Sequence, residues 1–290
     1  YPEQHDSLAD IPDPAENAHL FGHAETAAQF AADYRGRRMH HAMILAGKAG
    51  IGKATLAFHL ARHVLSFPDP TMAPEDLAPA DPAGQTFRLI AQGAHPSLLH
   101  LTRPVADRGK GFKTVLSVDE VRRVGRFLSM TAHDGGWRVV IVDPADDMNA
   151  NAANALLKNL EEPPPNCLFL LMAHSPGRLL PTIRSRCRMI QLRPLGDADL
   201  VQALEAIGGD LPDDEDARRL LLDQAGGSVR DALMLARFSG LDIVTQLRSM
   251  LAADRFDAAA AYRIADGVAA RDDGARFSVF NDALLARISE

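Results

Sequence analysis

The sequence predicts a doubly wound α/β domain built on a parallel sheet, followed by a helical remainder. Three observations carry this. Continuous apolar runs occur at 43–45, 139–142 and 168–172. Continuous rather than alternating apolarity suits parallel strands covered on both faces. Segments with helical spacing alternate with those runs, which implies crossover connections. Beyond about Leu195 the strand signal stops and the pattern becomes purely helical.

The elements follow in order. The stretch to about Pro14 is polar and rich in Pro and Asp, and reads as an arm or tail. A helix is expected between His19 and Tyr34. Met43-Ile44-Leu45 forms a strand ahead of a Gly-rich turn. After the turn, Ala57, Leu60, Ala61 and Val64 repeat at i, i+3, i+4 and i+7, one helix face. Residues 66–84 show no periodicity and read as an inserted loop. Leu98-Leu99-His100 suits a strand. Ser117 with Glu120 is a capping box, and Val121, Val124 and Leu128 continue that helix's apolar side. The strand Val139 to Val142 ends at Asp143. A helix from Asn154 to Glu162 is stopped by three prolines, 163–165. Strands follow at 168–172 and 189–192. Helices are then expected at 199–207, 215–225 and 228–238, the last starting on a second capping-box pattern, and the Ala-rich stretch from Ile243 to Glu290 is also helical.

Composition narrows the function classes. The 290 residues are 47% hydrophobic and 24% charged, an ordinary globular balance for about two domains. The net charge of −7 makes a poor stand-alone DNA binder, because non-specific affinity comes from Lys and Arg neutralising phosphates. Two cysteines, Cys167 and Cys187, exclude a disulfide scaffold and a four-cysteine zinc site. No apolar run reaches ~18 residues, so no membrane span is expected. With no signal-peptide pattern, a cytoplasmic location is the default. The chain opens at Tyr1 rather than Met, which reads as a trimmed fragment.

Gly47-Lys48-Ala49-Gly50-Ile51-Gly52-Lys53-Ala54 matches the phosphate-loop pattern G-x-x-x-x-G-K, between a strand and a helix. Glycines let backbone N–H groups turn toward phosphate oxygens, and the helix N-terminus adds its positive end. Lys53 would reach the β/γ-phosphates. Ala54 stands where a Ser or Thr hydroxyl would hold Mg²⁺. Thr55 is ~100° further around the helix and is no direct substitute. Asp143 lies where a second acidic motif would hold a metal-bound water, or it is simply a strand-end cap. Pro144 follows where a Glu would polarise water, and Asp146 and Asp147 lie too far along.

At this point the motifs become specific. Asn154-Ala155-Leu156-Leu157-Lys158-Asn159-Leu160-Glu161-Glu162-Pro163-Pro164 resembles the N-A-L-L-K-x-L-E-E-P-P signature of bacterial clamp-loader subunits. Ser185-Arg186-Cys187 matches that family's S-R-C motif, and the stretches 41–45 and 93–96 (Gly-Ala-His-Pro) also fit. The resemblance covers roughly residues 20–240 and identifies the AAA+ clamp-loader family of DNA polymerase III.

Motor subunits of that family, gamma and tau, keep the phosphate-loop Thr and the D-E pair. With Ala54 and Pro144, this chain is similar to the delta prime branch, whose members have degenerate ATPase motifs but keep S-R-C. The resemblance implies a stator that does not hydrolyse ATP. It implies Arg186 as an arginine finger acting in trans on a neighbouring motor subunit, for which Lys would be a poor replacement. Arg184 and Arg188 beside it read as solvated or phosphate-facing, and Cys187 as a buried small hydrophobe.

The implied architecture is an AAA+ (RecA-like) sheet domain with its arm over 1–195, a helical lid over 196–240, and over 241–290 the start of a collar domain cut short of the family's length. The implied partners are gamma/tau and delta in a hetero-pentamer, the sliding clamp indirectly, and primer-template DNA backbone weakly. No cofactor is required.

Departures from the family matter. Its zinc cysteines are absent between 66 and 92, so no zinc is expected, and His59, His63 and His95 read as surface or capping residues. The γ-phosphate sensor falls among Ala173, His174 and Ser175. Arg230 resembles the lid arginine, or is an exposed helix residue. With Lys53 it leaves a degenerate site for ATP or ADP. Arg122, Arg123 and Arg126 face DNA or form a solvated side. A working ATPase of the gamma/tau type and a pure protein-binding adaptor are the alternatives. Ala54 and Pro144 count against the first, and the kept S-R-C against the second.

Overall fold

The computed structural model describes residues 2–106, 111–129, 136–253, 257–269 and 274–288. The chain divides into two compact units, Tyr1–Pro194 and Leu195–Glu290.

The first unit holds α1 (Ala24–Arg35), β1 (Ala42–Ala46), α2 (Lys53–Ser66), α3 (Gln85–Ala91), β2 (Leu98–Leu101), α4 (Val118–Ser129), β3 (Arg138–Val142), α5 (Ala150–Glu161), β4 (Cys167–Ala173), α6 (Pro181–Arg184) and β5 (Arg188–Gln191). Its strands form one parallel sheet in the order β2-β3-β4-β1-β5. Ala46 of β1 pairs with Ala173 of β4, and Val142 of β3 with Leu171. The chain therefore leaves β1, β3 and β4 at one edge of the sheet. That edge is where ligands bind in open α/β sheets.

Side chains alternate across each strand, so the sheet supplies two cores. Ala42, Ile44, Val140, Val142, Phe169 and Leu171 pack with Val124, Phe127, Leu156 and Leu160 of α4 and α5. Met43, Leu45, Val139, Ile141, Leu168 and Leu170 pack with Phe30, Tyr34, Leu56 and Leu60 of α1 and α2. The continuous apolar runs exist because neither face meets water. Helix α5 begins four residues before the expected Asn154. The Asn149 side chain caps it, accepting from Ala152 N–H at 2.9 Å. It ends at Glu161, short of the prolines.

Helix α2 departs from the sequence pattern. One buried face is expected, yet every residue from Leu56 to Val64 is buried. The stretch just after the arm, and the segment read as a loop, cover its outer side. Arg62 donates to the carbonyls of Asn17, at 3.0 Å, and Ala15. Ala78 N–H donates to His63 Nδ1 at 3.2 Å. The arm is therefore anchored at its end, where Ala15 is fully buried. The segment after α2 is tied down as well. The Tyr34 hydroxyl donates to Phe67 O at 2.5 Å, Arg35 to Ala73 O at 2.7 Å, and Trp137 Nε1 to Pro68 O at 3.1 Å. This corrects the surface reading of His59 and His63, which are both buried. Burial pushes each imidazole down to about 4, with Arg62 adding to the effect at His59. His95 does cap locally, accepting from Ser97 N–H at 3.2 Å.

The second unit holds α7 (Asp197–Ala206), α8 (Glu215–Ala225), α9 (Val229–Arg237), α10 (Gly240–Ala252), α11 (Ala258–Val268) and α12 (Ala275–Ile288). Asp214 caps α8 and Asp257 caps α11. Ser228 caps α9 by accepting from Asp231 N–H at 3.1 Å. Ile243, Ile264 and Val268 form a small core of their own. Among the described residues, no helix is long and apolar enough to cross a membrane.

Candidate functional site

Strand β1 delivers the chain into the loop Gly47–Gly52, and α2 begins at Lys53. Gly47 N–H donates to Ala173 O at 3.1 Å, and Leu192 N–H to Ala46 O at 2.8 Å, fixing the loop to β4 and to the end of β5. A Cβ at Gly47 would lie 2.8 Å from the Leu192 carbonyl oxygen, so only glycine fits. Gly52 has φ 90°, the left-handed region glycine favours, and turns the chain into α2.

Lys53 is buried, and its ammonium donates to the carbonyls of Gly47 at 2.9 Å and Lys48 at 2.6 Å. The loop's own backbone thus takes the group that would otherwise meet a phosphate. Burial pulls its pKa down to about 8, against the opposing pull of Asp143 and Asp146. Ala54 and Thr55 follow half-buried at the start of α2.

Asp143 follows β3, with its N–H on the Leu101 carbonyl at 2.9 Å. Its carboxyl is pushed up to about 6 by burial, then by the carboxylates of Asp6 and Asp146, while His174 and Lys53 oppose. The two later acids hold structure together. Asp146 accepts from Ser175 N–H at 2.8 Å and His174 N–H at 3.2 Å, joining the end of β3 to the turn after β4. Desolvation would raise its carboxyl, but the His174 side chain and then those backbone bonds hold it well below the usual range. Asp147 accepts from Arg103 Nε at 2.6 Å. Of the parts a magnesium nucleotide needs here, the chain has the glycine turn and one carboxylate. It has a lysine already bonded to the loop, no hydroxyl at Ala54, and Pro144 in place of a water-orienting acid.

Sequence reasoning missed two contributors at this edge, and the role of a third, Asp146. His23 Nε2 lies 2.7 Å from the Ile51 carbonyl, which can only accept, so that nitrogen donates. Asp6 carries its charge from the arm toward Asp143. Asp146 anchors the β4 turn. Nothing in the spacing of Asp6 or His23 could have placed them there, since both influences run across the fold.

Arg186 sits elsewhere. It follows α6 and precedes β5, whose Arg188 pairs with Met43 near the start of β1. The phosphate loop follows the far end of β1, roughly 13 Å away along that strand alone. Arg186 and the loop of its own chain thus lie at opposite edges of the sheet. Arg186 Nη2 is 2.7 Å from Glu161 Oε1, and Nη1 donates to Thr182 O at 3.0 Å and Ser185 Oγ at 3.3 Å. Glu161 was visible in the signature but carried no assigned role. Cys187 is buried, which pushes its thiol up to about 12. Arg184 is exposed, and Arg188 pairs with Asp33 at 2.6 Å.

Arg122 and Arg123 are exposed on α4 and pair with Asp119 at 2.9 Å and Glu120 at 2.6 Å. Arg126 is exposed on the same helix. Arg230 belongs to the second unit, on α9. Among the described residues, no three His, Cys, Asp or Glu side chains cluster as metal ligands would.

Residues 22–196 match the family described as DNA polymerase III, delta subunit. A DNA polymerase III subunit delta' from Pseudomonas aeruginosa is 42% identical over 67% of this chain and 55% of its own length. The subunit delta' of Escherichia coli is 36% identical over 56% of this chain and 45% of its own. The subunit tau of Escherichia coli is 32% identical over 68% of this chain and 29% of its own. The chain spans about half the length of the delta' relatives it matches.

Proposed function

Because this chain belongs to the DNA polymerase III delta subunit family, we propose that it serves as a delta prime-like stator of the clamp-loading complex in replication. In this reading it hydrolyses no ATP, needs neither nucleotide nor zinc, and presents Arg186 to ATP held by a neighbouring gamma/tau motor subunit. The complex is a cytoplasmic hetero-pentamer with delta, acting on the sliding clamp. Contacts to primer-template DNA are few and go to the backbone.

One observation carries the reading: Arg186 and the loop of its own chain lie at opposite edges of one parallel sheet. An arginine so placed has no phosphate of its own to meet. A planar guanidinium brought from outside neutralises charge that develops on a transferring phosphoryl group. The state of the loop supports the division of labour. Lys53 is bonded to carbonyls, Asp143 is half-buried, and Pro144 can neither accept a proton nor orient water.

The test is reconstitution with the motor and delta subunits, the clamp and primed DNA. Arg186→Ala should leave assembly intact and remove the served site's share of the stimulated ATPase, since such fingers contribute about 10³–10⁵ in rate. Arg186→Lys should not rescue it. An unchanged rate in Arg186→Ala sinks the reading.

A further inference from the structure

We propose that Glu161 is the keeper of Arg186, a positioning residue that holds the guanidinium on its own chain until a neighbour's phosphate takes the carboxylate's place. The inference rests on the trans role of Arg186 and adds a residue and a direction of control to it.

The hold has two parts with different characters. Nη1 is fixed by the backbone carbonyl of Thr182 at 3.0 Å and by Ser185 Oγ at 3.3 Å, both on the chain just before it. Those bonds keep the base of the guanidinium in place whatever the other nitrogen does. Nη2 meets a charged partner from a different element, Glu161 Oε1 at 2.7 Å, on the last residue of α5. Both side chains are partly exposed, 36% for Arg186 and 47% for Glu161. An exposed pair of this kind is weak and exchangeable.

The location of Glu161 strengthens its pull on a cation while leaving the pair breakable. A carboxylate at a helix C-terminus meets the negative end of the macrodipole, and Glu162 adds a second exposed carboxylate beside it. Arg186 thus rests on a locally negative spot. A triphosphate offers more negative charge and a geometry the guanidinium fork matches equally well. Exchange of Nη2 from carboxylate to phosphate then needs only a pivot about Nη1. Before that exchange the carboxylate competes with the neighbour's phosphate and holds back idle turnover.

The experiment compares wild type, Glu161→Gln, Glu161→Asp and Arg186→Ala in the reconstituted complex. ATPase is read without and with clamp and primed DNA. Glu161→Gln is expected to raise the unstimulated rate about two- to five-fold, the span an exposed ion pair covers, and to leave the stimulated rate at wild type. The stimulation ratio falls accordingly, and Glu161→Asp restores part of it. An unstimulated rate equal to wild type overturns the proposal. So does a parallel fall of both rates with a lowered melting temperature, which marks a purely structural glutamate. If Arg186→Ala also leaves the stimulated rate untouched, the trans reading itself has failed. If Arg186→Ala removes it and Glu161→Gln changes nothing, only the keeper has.

Discussion

The ammonium of Lys53 lies 2.9 Å from the carbonyl oxygen of Gly47, inside the turn a phosphate would enter. A ligand at this loop must first replace that bond and its companion to Lys48. ATP titrated into the chain is therefore expected to bind weakly, with no gain from Mg²⁺ because Ala54 offers no hydroxyl. Binding should weaken further from pH 7 to 9, as Lys53 loses its proton near pH 8. Calorimetry with and without Mg²⁺ checks this. A tenfold Mg²⁺-dependent gain, about 1.4 kcal/mol, contradicts it.

Asp146 is expected to matter for stability. Asp146→Ala leaves two amides, of His174 and Ser175, without their acceptor and should cost on the order of 2 kcal/mol in urea unfolding. Its carboxyl is depressed in the folded state, so its contribution is present above the ordinary carboxylate pKa and is lost as pH falls below it.

Acid should loosen the fold through His59 and His63. Folding lowers each from the ordinary 6.5 to about 4. Between those values the unfolded chain binds protons that the folded chain does not. Stability is full above pH 6.5 and is lost as pH falls toward 4, on the order of 3 kcal/mol for each group by the lower limit. Asp143, raised to about 6, runs the other way and offsets part of the loss. Melting temperatures at pH 7 and pH 5 measure the slope. His63→Asn, whose amide oxygen can still accept from Ala78, should flatten it.

Arg62 is expected to hold the arm. Its guanidinium is buried and donates to the carbonyls of Ala15 and Asn17. Arg62→Met keeps the apolar stem but leaves those carbonyls without their donor, at a cost of about 2 kcal/mol. Limited proteolysis should then cut within residues 2–17 much faster than in wild type. Equal cutting rates would show that the arm is held by other contacts.

Much of this was legible in the residues. Runs such as 139–142 and 168–172 declared buried parallel strands, because a strand covered on both faces must be apolar at every position. The signature around Glu161 and the triplet around Arg186 named the family. The outer side of α2 was not legible. Its buried His59, Arg62 and His63 look like a solvent face until residues 15, 17 and 78 are brought against them.

The sequence by itself determined the sheet, the glycine turn, the missing hydroxyl at Ala54 and the proline at 144, since each follows from residue type and local spacing. Tertiary structure alone decided that Lys53 closes on its own loop, that Asp146 serves the β4 turn, and that Arg186 rests on Glu161 at the opposite edge of the sheet. The physical reason is distance along the chain. Glu161 and Arg186 are brought together by the sheet between them. Parallel pairing, which no local pattern registers, sets which end of β1 each functional group occupies.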